Sequence, residues 1–515
     1  FSMSSKPRSR PQLFSYPALP EIKLCFLVTI LSCAYGWYLV YTTSKAYAET
    51  YGPKGWGTAN ELPLIGETLK DESNWEWKIW RPHALGYLTV YLAHTVFFNL
   101  LSTRLPEQTF TLIYTILSIL ASAYIFTPLI VGVSIAQGLA IYTAFYFFPS
   151  RAAVWLSAAP LIYWTHTTFM THPLVYIYLT FASYTIVSYI SYCLDNVESP
   201  VRPLDDTLPK QLLRMFFFTY YQPYLVSLIV LYKDFERQID ERSTKRREWR
   251  ETIVFGLRLA FWWLITDLVL HFFYFESMFT RLRYVSALDK KAFVALGMAL
   301  GQFFHLKYVV IFGLPSLFAR LDNMTPPQGP MCLARVCLYS NVWRSFDRGL
   351  YAFFKRYLFV PICEPDFTLP KKIFGVIISY AFVLLWHGFH HHNIVWILLN
   401  VAALFMEMSA KALYVNPTAH PLLTSAFSPL ALRRLLGWLQ IIPFAFGLFS
   451  NFYFLGGSKV GALFVQRVVV EEILPVRPFF LVLATMGYFY TQTTMEVDRW
   501  EEERVNPSEE KIKAN

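Results

Sequence analysis

A chain of 515 residues with 55% apolar, 18% aromatic and only 16% charged residues lacks the charge a soluble protein of its size needs to cover its surface, since an ordinary globular domain carries about 25%. The formal net charge is +10, but the basic residues cluster between apolar runs and so report topology rather than a polyanion partner. Nucleic-acid binding, disorder and fibrous repeats are set aside on the same grounds.

In chain order, Lys6, Arg8, Arg10 and Lys23 precede the first apolar run at 24–42. That run lacks a small-residue cleavage site and is long enough to stay as an anchor, so segment 1–23 is expected in the cytosol. The stretches 108–150 and 152–194 are each 43 residues without Lys, Arg, Asp or Glu. Each suits two crossings of a bilayer, at about 20 residues apiece. Apolar windows fall at 24–42, 84–102, 109–127, 129–148, 152–169, 173–193, 212–232, 252–275, 292–318, 371–389, 393–410, 433–455 and 477–492. Pro128, Pro160, Pro223 and Pro443 within them mark some as re-entrant or interfacial. Lys233, Arg237, Arg242, Lys245, Arg246, Arg247 and Arg250 share one loop, which reads as a second cytosolic marker. The expected class is therefore all-α, a polytopic membrane protein of about 10–13 membrane helices including re-entrant segments. Its membrane domain is expected over 24–495, followed by a charged, solvated tail over 496–515. The six cysteines show no paired spacing and imply no disulfide framework.

Titratable groups inside apolar runs are expensive and are functional candidates by default. His387 ends one apolar segment in LLWHGFHHHNIVWILLN, with His390, His391 and His392 behind it, and Asp347 lies between Arg344 and Arg348 in WRSFDRGL. An imidazole in an apolar wall stays neutral and ready to take a proton. An acid near two arginines stays ionised and can orient a nucleophile. Asp267 and His271 share a helix face, and Lys307 follows His305; for these sites a polar pair joining neighbouring helices is the simpler reading. Lys307 also suits the wall of a phosphate-bearing cavity. In DRGLYAFFKRYLFVP, Arg348, Lys355 and Arg356 interrupt an aromatic face, which fits a short helix dipping into the membrane, its charges either holding phosphate or snorkelling to the interface. His387, His390 and His391 form an HxxHH box, but a di-iron centre needs several such boxes and no other is present; HExxH is absent too.

With WRSFDRGL followed 40 residues after Asp347 by His387 in LLWHGF, the chain resembles the membrane-bound O-acyltransferase family. KYVVIFGLPSLFARLDNMTPP, NVWRSFDRGLYAFFKRYLFVPI, SNFYFLGGSKVG near Asn451 and DESNWEWKIW at 71–80 narrow the resemblance to its Hedgehog-acylating branch, in which Asp replaces the usual Asn at position 347. The triple histidine is not part of that pattern, and YYQPYLVSLIVLYKDF lacks the usual Gly-Pro.

The resemblance implies a tunnel through the membrane, with palmitoyl-CoA entering from the cytosol and a secreted protein ligand from the lumen of the endoplasmic reticulum or Golgi. Palmitate would pass to the N-terminal cysteine of Hedgehog-type ligands, with EGF-receptor ligands as further candidates. It implies His387 as base and Asp347 as its partner. Arg344, Arg348, Lys355, Arg356 and Asn451 would hold acyl-CoA or substrate, and Cys332, 15 residues before Asp347, would ligate haem b. The alternatives are a lipid or sterol O-acyltransferase of the same family, an inactive relative, or a transporter, against which the lack of inverted repeats speaks.

Overall fold

Inside hydrocarbon a chain must satisfy its own backbone, and the apolar stretches do so as helices. A computed structural model describes residues 17–63, 65–169, 175–198, 207–473 and 475–505. Lys6, Arg8, Arg10 and His172 lie outside the described residues, as does most of segment 1–23.

Helix α1 (Ile22–Tyr51) leads into a two-stranded antiparallel hairpin, β1 (Gly57–Leu62) and β2 (Gly66–Asp71). Then come α2 (Trp75–Arg104), α3 (Glu107–Phe126), α4 (Pro128–Phe147), α5 (Arg151–Phe169) and α6 (Val175–Glu198). The expected span at 212–232 is instead broken into α7 (Leu208–Thr219) and α8 (Gln222–Leu225), followed by extended chain with Ser227 at φ 75°. The break sits at Pro223, which suits the first turn of a new helix and not the interior of a continuing one. After α9 (Tyr232–Glu241) the chain crosses through α10 (Trp249–Val269), turns through α11 (Phe275–Thr280) and α12 (Leu282–Ala287), and returns through α13 (Lys290–Leu321).

The remaining helices build the site. They are α14 (Tyr339–Phe346), α15 (Arg348–Phe354), α16 (Val360–Cys363), α17 (Leu369–His387), α18 (His391–Val415), α19 (Ala419–Ala426), α20 (Pro429–Phe464, kinked at Gly457), α21 (Glu471–Ile473) and α22 (Pro478–Val505). Among the described residues ten helices are long and apolar enough to cross a membrane. The expected tail at 496 is not solvated at its start: α22 continues to Val505, because Glu496 is buried and its Oε2 accepts from Arg433 at 2.9 Å.

The core is largely aromatic. One cluster runs from α1 through α9 and α11 to α13, with Phe353, Phe382, Phe452 and Phe464 joining from α15, α17 and α20; a second, smaller one gathers Val376, Tyr380, Val383, Trp396 and Ile397 between α17 and α18. The hairpin is pinned to the bundle by charge: Lys70 donates to Asp267 at 2.6 Å, Arg81 reaches the same carboxylate at 2.9 Å, and Thr68 bonds His271 at 2.9 Å. Burial lowers the Lys70 pKa from its ordinary value, and Asp267 offsets part of that. The simpler reading of Asp267, His271 and Lys307 therefore holds with a change of partners. Asp267 and His271 each grip the hairpin rather than each other, and Lys307 pairs with Glu76, joining α13 to α2.

Candidate active site

α17 ends at His387 because Gly388 follows at φ 86°, a conformation that stops a helix and that L side chains avoid. Asn393, in the first turn of α18, donates to the carbonyls of His387 and Gly388 at 2.8 and 3.0 Å and so fixes the junction. The imidazole stands edge-on against Trp396 (5.1 Å between ring centroids) and Phe454 (5.3 Å), which themselves stack at 4.3 Å.

The segment that carries Asp347 meets the same aromatic rings from another element. It ends α14 and begins α15, where its Oδ1 accepts from the Leu350 N–H at 2.9 Å. On one side Trp343 packs on Trp396 at 5.6 Å; on the other Phe346 stacks on Phe304, which meets Phe454. Tyr184, within electrostatic reach of the Asp347 carboxylate, packs on Trp386 at 5.9 Å. The helix ends that carry the two expected groups thus meet through shared aromatic rings, Trp343 on Trp396 and Phe346 through Phe304 on Phe454.

A buried carboxylate that the sequence pattern does not single out holds α14 in place. Glu407 on α18 is 4% exposed, and it accepts the N–H groups of Tyr339 and of Ser340 (3.3 Å to each oxygen) at the start of that helix. A carboxylate there satisfies N–H groups that have no partner in the helix and complements its dipole. Tyr339 in turn donates to Asn451 Oδ1 at 3.3 Å and lies 3.2 Å from Ser450 Oγ, which places Asn451 behind α14. On the far face, Gly349 lies against the Ile229 carbonyl so closely that a Cβ would overlap it.

The expected basic mouth is divided. Arg356 is held by Asp195, with Nε at 2.8 Å and Nη2 at 2.7 Å from Oδ1, and by Glu198 at 3.6 Å. It borders an open cleft of about 570 Å³ where Lys233 and Arg237 are interleaved with Asp234, Glu236, Asp240 and Glu241. That cleft is of mixed sign, and Arg356 serves first as a brace. Lys355 is exposed, while Arg344 and Arg348 are half-buried beside Asp347.

Cys332 is exposed at the start of a 3₁₀ turn (Leu333–Arg335), within electrostatic reach of Cys33 and Tyr490. The neighbouring Arg335 is already paired with Glu501 and Asp498. An open thiol beside a neutralised cation does not form a haem cradle. The haem expectation has no support here, and no step is derived through it.

The model of the membrane-bound O-acyltransferase family matches residues 161–450 and so covers His387, Asp347 and Glu407. The chain is 30% identical over 240 residues to protein-cysteine N-palmitoyltransferase Rasp of Drosophila melanogaster, covering 46% of this chain and 48% of Rasp. It is 28% identical over 280 residues to protein-cysteine N-palmitoyltransferase HHAT of Mus musculus, covering 54% and 55%. To membrane-bound O-acyltransferase GUP1 of Millerozyma farinosa it is 23% identical over 230 residues, covering 44% and 45%. The match therefore spans about half the length of these relatives.

Proposed function

This chain belongs to the membrane-bound O-acyltransferase family, and from that premise we propose that it moves palmitate from palmitoyl-CoA to the N-terminal cysteine of a secreted ligand of Hedgehog type. The observation that supports the reading is that the helix ending at Asp347 packs its Trp343 on Trp396, the ring that stands against His387. The two relatives named as protein-cysteine N-palmitoyltransferases support the choice of acceptor.

In this reading the substrate supplies the nucleophile. His387 takes a proton from it as its nitrogen or sulfur attacks the thioester carbonyl, and Asp347 orients the attacking group. The C–S bond breaks, and the CoA thiolate takes up a proton. No acyl-enzyme is required, which fits a chamber walled by aromatic rings. A 16-carbon chain favours such a slot by ~0.8 kcal/mol per buried methylene. Lys355, Arg344, Arg348 and Arg356 are the candidates to meet the CoA phosphates, Arg356 being also braced by Asp195. With segment 1–23 cytosolic and α5 counted as a crossing, alternate crossings bring the His387 end of α17 to the lumenal face of the endoplasmic reticulum or Golgi membrane, where a secreted ligand would arrive.

The test is purified protein, labelled palmitoyl-CoA and a peptide with a Hedgehog-type N-terminus. The expected product is an amide that survives neutral hydroxylamine, and acetylating the peptide's N-terminus abolishes it. If the acetylated peptide gains a hydroxylamine-labile acyl group at a normal rate, the N-palmitoyl reading fails. Transfer to a glycerolipid or sterol with none to the peptide favours the lipid-acylating alternative, which the GUP1 match keeps in view.

A further inference from the structure

The histidines behind His387 have no part in the chemistry so far. One more joins them from a distant element: His166, near the end of α5, is 8% exposed, and neither of its ring nitrogens has a hydrogen-bond partner among the described residues. Leaving a buried polar group unpaired costs about 1–3 kcal/mol, so its persistence asks for a reason. The polar groups next to it are better served, since Gln137 of α4 donates to Thr165 at 2.7 Å.

Its location supplies the reason. The His166 ring is seated on Gly388, the residue after His387, and a Cβ at that position would overlap Nε2. His166 acts electrostatically on His387, and His390 in turn acts on His166, 6.0 Å away between ring centroids. His390 is exposed and stacks on His392 at 5.5 Å, with ring planes 2° apart. Among the described residues, His387 at the end of α17 and His390 at the start of α18 are the titratable groups in electrostatic contact with His166. A line of imidazoles therefore runs from the chamber to the protein surface.

We propose that His166 is a proton-relay residue that carries the surplus proton of amide formation from the chamber to His390 and water. The proposal rests on the acyl-transfer reading given above. An α-amino group has a pKa near 8 and enters mostly as ammonium at neutral pH. Forming the N–C bond and breaking the C–S bond releases two protons from that ammonium. One returns to the CoA thiolate as thiol, and the other must leave. His387 holds one proton at a time and needs that one for the leaving group. A neutral imidazole with a free lone pair beside it takes the other and passes it outward. His166 thus acts through His387 and the substrate amine, as a positioning and relay group rather than the base itself.

The experiment uses the full chain, the peptide assay above, and His166→Ala, His166→Gln, His390→Ala and His387→Ala. For His166→Ala the expected result is a 10- to 100-fold lower kcat with an unchanged KM for palmitoyl-CoA. The deficit should be deepest below pH 7 and shrink above about pH 8, where the amine arrives neutral. Added imidazole should restore His166→Ala, which has a ring-sized vacancy, and should leave His166→Gln as slow as before. His390→Ala should show a smaller loss with the same pH trend. Wild-type rates from His166→Gln at every pH overturn the relay, as does a His166→Ala deficit that is independent of pH and unmoved by imidazole. Wild-type protein that fails to acylate the peptide sinks the acyl-transfer reading itself. Active wild type beside inert His387→Ala upholds that reading, and the rates of the His166 variants then bear on the relay alone.

Discussion

Two groups of titratable side chains are enclosed in this bundle, and they are treated in opposite ways. Around Asp322, at the end of α13, every group is answered. His94 lies 2.6 Å from Oδ2, Tyr221 donates to Oδ2 at 2.7 Å, Asn99 donates to Oδ1 at 2.8 Å, and Tyr114 completes His94 at 3.0 Å. Around His387 the walls are rings, and its neighbour His166 has no partner for either nitrogen among the described residues. A satisfied network fixes helices against each other; an unsatisfied one keeps lone pairs for something that arrives later. Burial alone does not separate structural from chemical residues; the completeness of their hydrogen bonding is the second observation to weigh.

The sharpest way to break this contrast is to delete the central group on each side. His387→Ala should lower acyl transfer 10²–10⁴-fold, the usual contribution of a positioned base, with little change in melting temperature. Asp322→Ala should do the reverse, costing about 3–5 kcal/mol because it strips the partner from a buried, bonded group, so that the protein is recovered poorly or melts early in detergent. Undiminished turnover by well-folded His387→Ala removes the chemical half of the comparison. An Asp322→Ala protein as stable as wild type removes the structural half.

Asp347 lies between the two cases, since its carboxylate caps α15 while the helix it ends packs on the rings around His387. Asp347→Asn keeps a cap and deletes the charge, so a roughly tenfold loss of rate at unchanged stability is expected. Asp347→Ala loses the cap as well and should be almost inactive, with about 1 kcal/mol less stability. Equal rates for Asn, Ala and wild type would make the residue purely structural.

Glu407 should give a smaller effect of a different kind. It touches α14 rather than the chamber interior, so Glu407→Gln should shift α14 and with it Trp343 and Asp347, lowering kcat severalfold while Glu407→Ala lowers stability by about 1–3 kcal/mol. A melting curve and a kinetic assay on the same preparations distinguish these. Loss of stability with no loss of rate in the Gln variant would free the site from its dependence on this cap.

These residues also mark what the sequence could disclose. His387 and Asp347 stand out as candidates because each is costly inside an apolar run and because their spacing carries the family likeness. The broken element at Pro223 is flagged by the proline itself. Glu407 and His166 are not legible, because what distinguishes them is a partner far away in the chain: Tyr339 and Ser340, 68 and 67 residues from Glu407, and Gly388 beneath His166. The pairing of Arg356 with Asp195, 161 residues earlier, is hidden for the same reason. The hairpin of β1 and β2 escapes notice because GTANEL and GETLKD alternate too weakly to announce strands; their stability comes from Lys70 and Thr68 gripping α10 and the turn after it.

The smallest expected effect tests whether the hairpin side belongs with the satisfied class. Glu276 on α11 accepts from Asn74 Nδ2 at 2.7 Å, and burial pushes its carboxyl up to about 7 from an ordinary 4.5, against the pull of Lys307. Asp71 and Glu76 add to the rise. A carboxyl whose pKa is higher in the folded than in the unfolded state binds more protons when folded, so it contributes stability below about pH 4.5 that is lost as pH rises through about 7. Other carboxylates change sign in the acid range, so the comparison is confined to pH 6 to 8 and made against Glu276→Gln, which cannot titrate. Wild type should lose ~1–3 °C of melting temperature relative to the variant across that window, and hydrogen exchange in 57–71 should rise in parallel. A constant difference from pH 6 to 8 would mean that Glu276 stays ionised throughout, and that the junction of hairpin and bundle is wetter than its packing indicates.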